Sequence, residues 1–317
     1  MKQIKIAAID YGNGYFKRTY NGVDVLVDPS IYAQLPDNQF ILDETQSVIT
    51  VNKWSVIIGE QALNSGFPIT TLVGTTDEEK YANPLYNELL FAFIAKDIGK
   101  DVCIEHLVLG VPVHHYANYA EPVKKLFHNK HKTIWIDNKE IKVSIKSVKV
   151  VPQPMGTFEL LDAKASRLLI IDIGYGTTDV TEFMNQAPFQ FYGENTGIRH
   201  VYLTLQTYLS ETFPSLTLDP YKTAQYIQAG SLAYNGKTEK LDKTKINRAM
   251  DYHFNQLMEL IKQKSGIAES DVIVFSGGAA EMFQPQIEQL KNKKIQLMDQ
   301  AQVANVLGFY QIGERLV

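Results

Sequence analysis

Two short segments of the chain pair an aspartate with closely spaced glycines. The first is Asp10-Tyr11-Gly12-Asn13-Gly14, with Lys17 just beyond it. The second is Asp172-Ile173-Gly174-Tyr175-Gly176, which runs into Thr177-Thr178-Asp179. Glycine has no Cβ, so its backbone N–H groups can meet a dense anion at close range. Gly12 and Gly14 allow this in one segment, Gly174 and Gly176 in the other. A nucleoside triphosphate supplies such an anion. It travels with a divalent ion, usually Mg²⁺, which keeps several waters and takes few protein carboxylates. Asp10 and Asp172 stand where they could hold those waters. If the chain turns back as a hairpin, Lys17 reaches the β- and γ-phosphates as a point charge. Thr177 and Thr178 add hydroxyl donors, and Asp179 adds a third acid. One such turn alone reads first as an ordinary hairpin whose Asp and Gly serve backbone angles. Two copies, each after an apolar run, point to a pair of related domains that face one nucleotide's phosphates.

The elements that must position these turns can be read from pattern. Residues 6–9 and 168–171 are apolar runs of the kind that form buried strands. The spacing predicts a meander over 4–9, 15–20 and 23–27, with Asn21-Gly22 as a hairpin turn. A short strand is expected over 54–59. A helix is expected over 84–96, with Asn83 as its cap, Pro84 at its first position and Gly99 past its end. Residues 107–111 read as a buried strand and 141–150 as a half-exposed one. Pro152 and Pro154 mark a crossover between domains. Beyond it, Ile198, Val201, Leu205 and Leu209 lie on one face of a helix near 197–213. A longer helix over 243–264 turns Ile246, Met250, Leu257 and Ile261 inward, with Gly266 beyond it. A strand over 272–275 leads into Gly277-Gly278. A helix follows through Met282, Ile287 and Leu290, and a last one near 303–309 returns to the first domain. Alternating strands and helices argue for an α/β fold. The expected division is residues 1–157 plus 301–317 in one domain and 158–300 in the other.

The two turns resemble the first and second phosphate loops of the superfamily that holds actin, the heat-shock chaperones and the sugar kinases. Val151-Pro152-Gln153-Pro154-Met155-Gly156 resembles its first connecting segment, and Ser276-Gly277-Gly278-Ala279-Ala280 its adenosine loop. The stretch from Ala304 to Tyr310 is similar to its second connecting helix, so the resemblance spans nearly the whole chain in order. Within the superfamily, Leu109-Gly110-Val111-Pro112-Val113 and the Ala304–Tyr310 stretch look like ParM-type bacterial actins. In that second stretch Val306 and Leu307 replace the usual Ala and Arg. The resemblance implies two related actin-like (ribonuclease H-like) domains around a nucleotide cleft. It implies ATP as ligand, with GTP open, and Mg²⁺ held through water by Asp10 and Asp172. It places Gln153 near the γ-phosphate, where an amide orients water rather than removing its proton. Asp172 or Asp179 would take that proton or hold the water. On the adenosine side, Gly277, Gly278 and Ala279 would meet the base and ribose, and Thr196 would line the ribose or cap a helix.

Composition bounds the rest. The chain has 317 residues, enough for two domains. A net charge of −4 does not suit a protein that coats nucleic acid by bulk electrostatics. Cys103 is the only cysteine, so no intrachain disulfide forms. It reads as a small apolar strand residue. The sequence has no run of the ~20 apolar residues that span a bilayer, nor a signal peptide at its start. The expected location is the cytoplasm. His114-His115 and the pair His128 and His131 could suggest a metal. The second pair falls in a lysine-rich segment read as a loop, with no acid or cysteine partner at ligand spacing, and such histidines read as solvated surface residues. The lysines of 124–149 read as the polar face of a helix and a strand. Direct nucleic-acid contact is not expected.

The resulting expectation is a ParM-like ATPase that assembles into filaments with ATP–Mg²⁺ and falls apart after hydrolysis. It would move plasmid DNA through an adaptor protein at a centromere-like site. A small-molecule kinase of the same superfamily and a non-hydrolysing nucleotide-binding scaffold are the competing readings. A chaperone is the weakest, because no substrate-binding segment follows the nucleotide-binding part.

Overall fold

The computed structural model describes residues 1–36, 46–71, 77–161, 165–292 and 294–317. The chain divides into two units: Met1–Leu161 with Val303–Val317, and Asp162–Gln302.

The first unit opens with a hairpin, β1 (Lys2–Tyr11) and β2 (Tyr15–Thr19). Four short strands follow: β3 (Leu26–Pro29), β4 (Ile31–Gln34), β5 (Ile49–Val51) and β6 (Trp54–Ile58). Next come α1 (Glu60–Leu63), β7 (Ile69–Thr71), α2 (Asp77–Ala82) and α3 (Leu85–Ile98). β8 (Val102–Val111), α4 (Tyr116–Phe127), β9 (Lys130–Ile136), β10 (Lys139–Pro152) and α5 (Pro154–Leu160) complete the run. The strands form one sheet in the order β3-β2-β1-β8-β10-β9-β5-β6-β4-β7. β1, β8 and β10 are parallel neighbours. β1 and β8 are largely buried, as strands covered on both faces must be, while β10 alternates buried and exposed positions as the half-exposed strand expected over 141–150. α3 covers one face with Leu89, Leu90, Phe91 and Phe93. Its boundaries follow local chemistry. Asn83 Oδ1 accepts from the Leu85 N–H at 2.9 Å, and Gly99 closes the helix in the left-handed region.

The second unit holds β11 (Arg167–Ile173), β12 (Thr178–Met184) and β13 (Ala187–Glu194), then α6 (Arg199–Thr212) and α7 (Pro220–Ala229). β14 (Ser231–Tyr234) and β15 (Lys237–Lys240) form a separate hairpin before α8 (Lys243–Lys264). β16 (Val272–Ser276), α9 (Gly278–Met282), α10 (Gln284–Gln289) and β17 (Ile295–Leu297) finish it. The main sheet runs β13-β12-β11-β16-β17. α6 buries Val201, Leu205 and Leu209, and α8 buries Met250, Leu257 and Ile261, with Ile246 partly buried. Asp242 caps α8 by accepting from Thr244 N at 2.8 Å.

The chain then returns to the first unit as α11 (Ala304–Glu314). Phe309, Val306 and Ile312 pack on Ala8, Val108 and Val151. α11 also touches α5 backbone to backbone. A methyl group at Gly156 would strike the Asn305 backbone, and one at Gly308 the Gly156 backbone. No described helix is long and apolar enough to cross a membrane.

Several local expectations are corrected. Asn21-Gly22 is not a two-residue hairpin turn, because Arg18 pairs with Leu26 across a wider loop. The Asn21 side chain organises that loop by accepting from the N–H groups of Val23 and Asp24. Val23 is fully outside the strand and exposed. The helix expected through Met282 and Leu290 divides at Phe283, which is buried, and Pro285 opens the second piece. The last helix is a turn longer than expected. His115 is buried rather than solvated, with Nδ1 at 3.0 Å from the Tyr81 hydroxyl. His131 lies in β9 and not in a loop. Cys103 is buried in β8, a strand that starts five residues earlier than expected.

Candidate functional site

In the first unit the chain turns back after β1, and the register sets Asp10 directly across from Lys17. Asp10 is 1% exposed. Its Oδ2 accepts from Lys17 Nζ at 2.9 Å and its Oδ1 from Gln153 Nε2 at 2.6 Å. A carboxylate can only accept, so the Gln153 amide nitrogen is committed to it and Oε1 is left as an acceptor. Gln153 stands at the start of α5, whose position is fixed by α11. Asn305 Oδ1 accepts from the Thr157 N–H at 3.1 Å and from its hydroxyl at 2.7 Å.

The loop of this hairpin, Gly12-Asn13-Gly14, is held by its carbonyls. The Tyr11 carbonyl accepts from Lys80 Nζ at 2.7 Å, Gly12 O from Ser30 Oγ at 2.8 Å, and Gly14 O from the Ser30 N–H at 2.8 Å. In a planar trans peptide the N–H points opposite to the C=O. Pinning the Tyr11 and Gly12 carbonyls inward therefore turns the N–H groups of Gly12 and Asn13 the other way. That is the geometry that meets an anion.

Below this loop β2 is tied down by charge. Arg18, 2% exposed, forms a two-pronged pair with Asp97 on α3, with Nε to Oδ2 at 2.7 Å. Its Nη1 lies 2.7 Å from Asp28 on β3, and the guanidinium sits over the Phe16 and Phe93 rings. Burial opposes the charge on Arg18, but Asp97 and Asp28 outweigh it and raise its pKa above the ordinary value. Burial likewise pulls the Asp28 carboxyl upward, and Arg18 and Lys96 bring it below the usual carboxylate range. Burial pushes the Tyr11 phenol well above its ordinary value, so it stays neutral.

The second unit repeats the hairpin with different chemistry. Asp172 at the end of β11 pairs across the strands with Asp179 on β12, and both are buried. The loop carbonyls are again held. Gly174 O accepts from Ile198 N at 3.2 Å, Tyr175 O from Arg199 N at 2.9 Å and Gly176 O from Gly197 N at 3.1 Å. Thr177 O accepts from Gly174 N at 2.8 Å. The same peptide argument turns the N–H groups of Tyr175, Gly176 and Thr177 outward. Gly197 permits the approach, because a Cβ there would strike the Tyr175 carbonyl. The two loops match closely in their crowding. A Cβ at Gly12 would lie 3.0 Å from Tyr15 O, and one at Gly174 3.1 Å from Thr177 O.

The expectation of two threonine donors is revised. Thr178 is fully buried and its hydroxyl donates to Thr196 O at 3.0 Å, which ties the loop to the segment before α6. Thr177 is the partly exposed one. Thr196 does not cap α6, whose N-cap is Ile198 with no side-chain bond. With Gly197, His200, His253 and Phe283, Thr196 lines a cavity of about 590 Å³ between α6 and α8. Burial first, and His200 second, hold the His253 pKa below the ordinary histidine value.

At the end of β16, Ser276 pairs with Asp172. Gly277 has φ +89°, and a Cβ there would collide with the Asp172 carboxylate. Gly278 begins α9, while the Ala279 side chain is buried in the core and has only its backbone to offer a ligand. No cluster of three His, Cys, Asp or Glu side chains suited to a metal occurs among the described residues.

Sequence reasoning missed Lys80, Ser30 and Asn305. Lys80 reaches the loop from 69 residues away, and nothing in its neighbourhood signals that. Asn305 had a faint signal in the glycines at 156 and 308, which mark a close helix crossing.

Residues 8–156 match the family model described as the actin-like proteins N-terminal domain. Among solved structures, the chain is similar to the apo psk41 ParM protein at 20% identity and a TM-score of 0.71, covering 98% of this chain and 97% of that one. It is similar to an archaeal actin homologue in complex with ADP at 18% identity and a TM-score of 0.79, covering 98% and 99%. A third is a 15-stranded ParM filament from Clostridium botulinum, at 18% identity and a TM-score of 0.78, covering 99% and 100%. At these identities the likeness establishes the fold. Among curated protein sequences, none matches the chain.

Proposed function

We propose that this chain, whose residues 8–156 match the actin-like proteins N-terminal domain and whose fold is actin-like, is a nucleotide-dependent filament protein. It binds ATP with Mg²⁺, assembles with copies of itself and hydrolyses the nucleotide. The observation that carries this reading is the repeated hairpin. Each has an aspartate at its strand end, carbonyls held on the protein side and N–H groups turned outward. Each therefore suits a phosphate.

The chemistry of the donor set fits a nucleotide–Mg²⁺ complex. Such an ion keeps its waters and is bound chiefly by phosphate, with one or two carboxylates nearby. Asp10 and Asp172 would hold those waters, and the bound ion would neutralise charge that builds up on the phosphate during transfer. Lys17 adds a cation beside Asp10. Gln153, with its amide nitrogen given to Asp10, presents Oε1 to orient a water. In the second unit, Asp172 or Asp179 is the proposed carboxylate that holds a water or receives its proton. Gly277, Gly278 and the Ala279 backbone, with Thr196, are the proposed adenosine contacts.

Assembly is proposed as head-to-tail, since only a heterologous contact that does not close on itself extends indefinitely. The likeness to a ParM filament supports this part. Movement of plasmid DNA through an adaptor DNA-binding protein is the finest part of the proposal. It rests on the resemblance of residues 109–113 and 304–310 to ParM-type bacterial actins.

Sedimentation and light scattering, with and without ATP and Mg²⁺, test the reading, followed by electron microscopy of the pellet. Polymer is expected only with nucleotide. Asp172→Ala should reduce phosphate release by about 10²-fold or more, the scale of losing a preorganised polar group. An Asp172→Ala protein that releases phosphate at the unmutated rate would refute the site assignment.

A further inference from the structure

Lys80 on α2 is only 4% exposed. Its ammonium donates to the Tyr11 carbonyl at 2.7 Å and to Asn13 Oδ1 at 3.0 Å. It also lies 5.5 Å from the Tyr11 ring centre and 5.9 Å from those of Tyr81 and Tyr86. Tyr11 stacks on Tyr86 with ring centres 4.9 Å apart, so the aromatic wall is itself fixed.

Burying an ammonium is unfavourable unless polar partners and ring faces replace its water. Two of those replacements belong to the glycine loop of the first hairpin. The bond to Tyr11 O sets the plane of the Tyr11–Gly12 peptide and so aims the Gly12 N–H away from Lys80. The bond to Asn13 Oδ1 holds the side chain at the loop tip. Ser30 secures the next carbonyl, so Lys80 and Ser30 together fix consecutive peptides.

We infer that Lys80 is a positioning residue for phosphate binding: it acts through the backbone of the Gly12–Gly14 loop, whose N–H groups it orients toward the phosphates. This rests on the nucleotide-binding reading above. It goes beyond it by assigning part of that affinity to a residue on a different element, 69 positions along the chain.

The test is a calorimetric titration of the full chain with ATP–Mg²⁺, ADP–Mg²⁺ and adenosine, alongside thermal melts. For Lys80→Met, the affinity for ATP and ADP is expected to fall roughly 30-fold and that for adenosine less than about threefold, because adenosine carries no phosphate. Asn13→Ala should weaken ATP binding by about fivefold. Because both act through the same loop, the double variant should bind about as Lys80→Met does. Lys80→Arg, which keeps the charge and donors, should recover part of the loss. Equal loss of adenosine and ATP in Lys80→Met would mark a merely structural role and overturn the inference. So would unmutated ATP affinity in Asn13→Ala, which keeps the question decidable if Lys80→Met fails to fold. If the unmutated chain binds no ATP, the functional reading itself fails and the inference goes with it.

Discussion

The two hairpins share a spacing and differ in what fills it. In each, an aspartate ends the first strand and the residue seven positions later stands directly opposite. That residue is Lys17 in the first unit and Asp179 in the second. One hairpin thus supplies a neutralised carboxylate with a cation beside it, and the other concentrates two carboxylates. Their loops differ as well. The first is held by side chains from distant elements, Lys80 and Ser30, with β2 anchored by the buried Arg18. The second is held by the backbone N–H groups of Gly197, Ile198 and Arg199 where α6 begins, with Gly197 making room. The same outward display of N–H groups is reached by two routes. The side-chain route is open to disruption by substitution at several distant positions. The backbone route is vulnerable where a Cβ would enter.

The largest effect is expected at Arg18. Arg18→Met leaves Asp97 and Asp28 facing each other without their shared cation. Breaking a buried pair from one side is worth about 3–5 kcal/mol, and urea denaturation should show a loss of that size. A loss below 1 kcal/mol would mean that apolar packing, not charge, holds this hairpin.

Next comes Gly197→Ala. Forcing a methyl group against the Tyr175 carbonyl should cost about 1–3 kcal/mol and displace α6 from the loop. Slower amide exchange at Tyr175 to Thr177 than in the unmutated chain, or an unchanged melting curve, would contradict the backbone route.

The smallest effect concerns pH. The folded-state pKa of Asp28 lies below its unfolded value of about 4, so its contribution is complete by about pH 5. It is lost as pH falls through the folded-state value. Asp28 is partly solvated, so the effect is at most about 1 kcal/mol. The stability difference between the unmutated chain and Asp28→Asn should be flat above about pH 5 and shrink below pH 4. A difference that instead grew on acidification would reverse the assigned sign.

Much of the fold was legible because its determinants are local. The apolar runs at 6–9 and 168–171, the helical spacing of Val201, Leu205 and Leu209, the Asn83 side chain bonded to the Leu85 N–H and the Gly99 cap each announce themselves within one turn or one strand. The Asp10 to Lys17 hairpin was legible for the same reason. Where several backbone choices satisfy the same residues, sequence reasoning misjudged. Asn21-Gly22 suits a tight turn, yet the Asn21 side chain stabilises a wider loop. Met282 to Leu290 fits one helix by period, yet Phe283 is drawn into the core and divides it.

By itself, then, the sequence determined where strands end in acidic glycine turns, because the preference for a turn and the alternation of buried positions act over a few residues. Only the tertiary structure decided which partners hold those turns. Lys80, Ser30 and the start of α6 reach them through packing, and the direction of a peptide N–H follows from what its carbonyl touches. A chain read in one dimension carries no record of that contact.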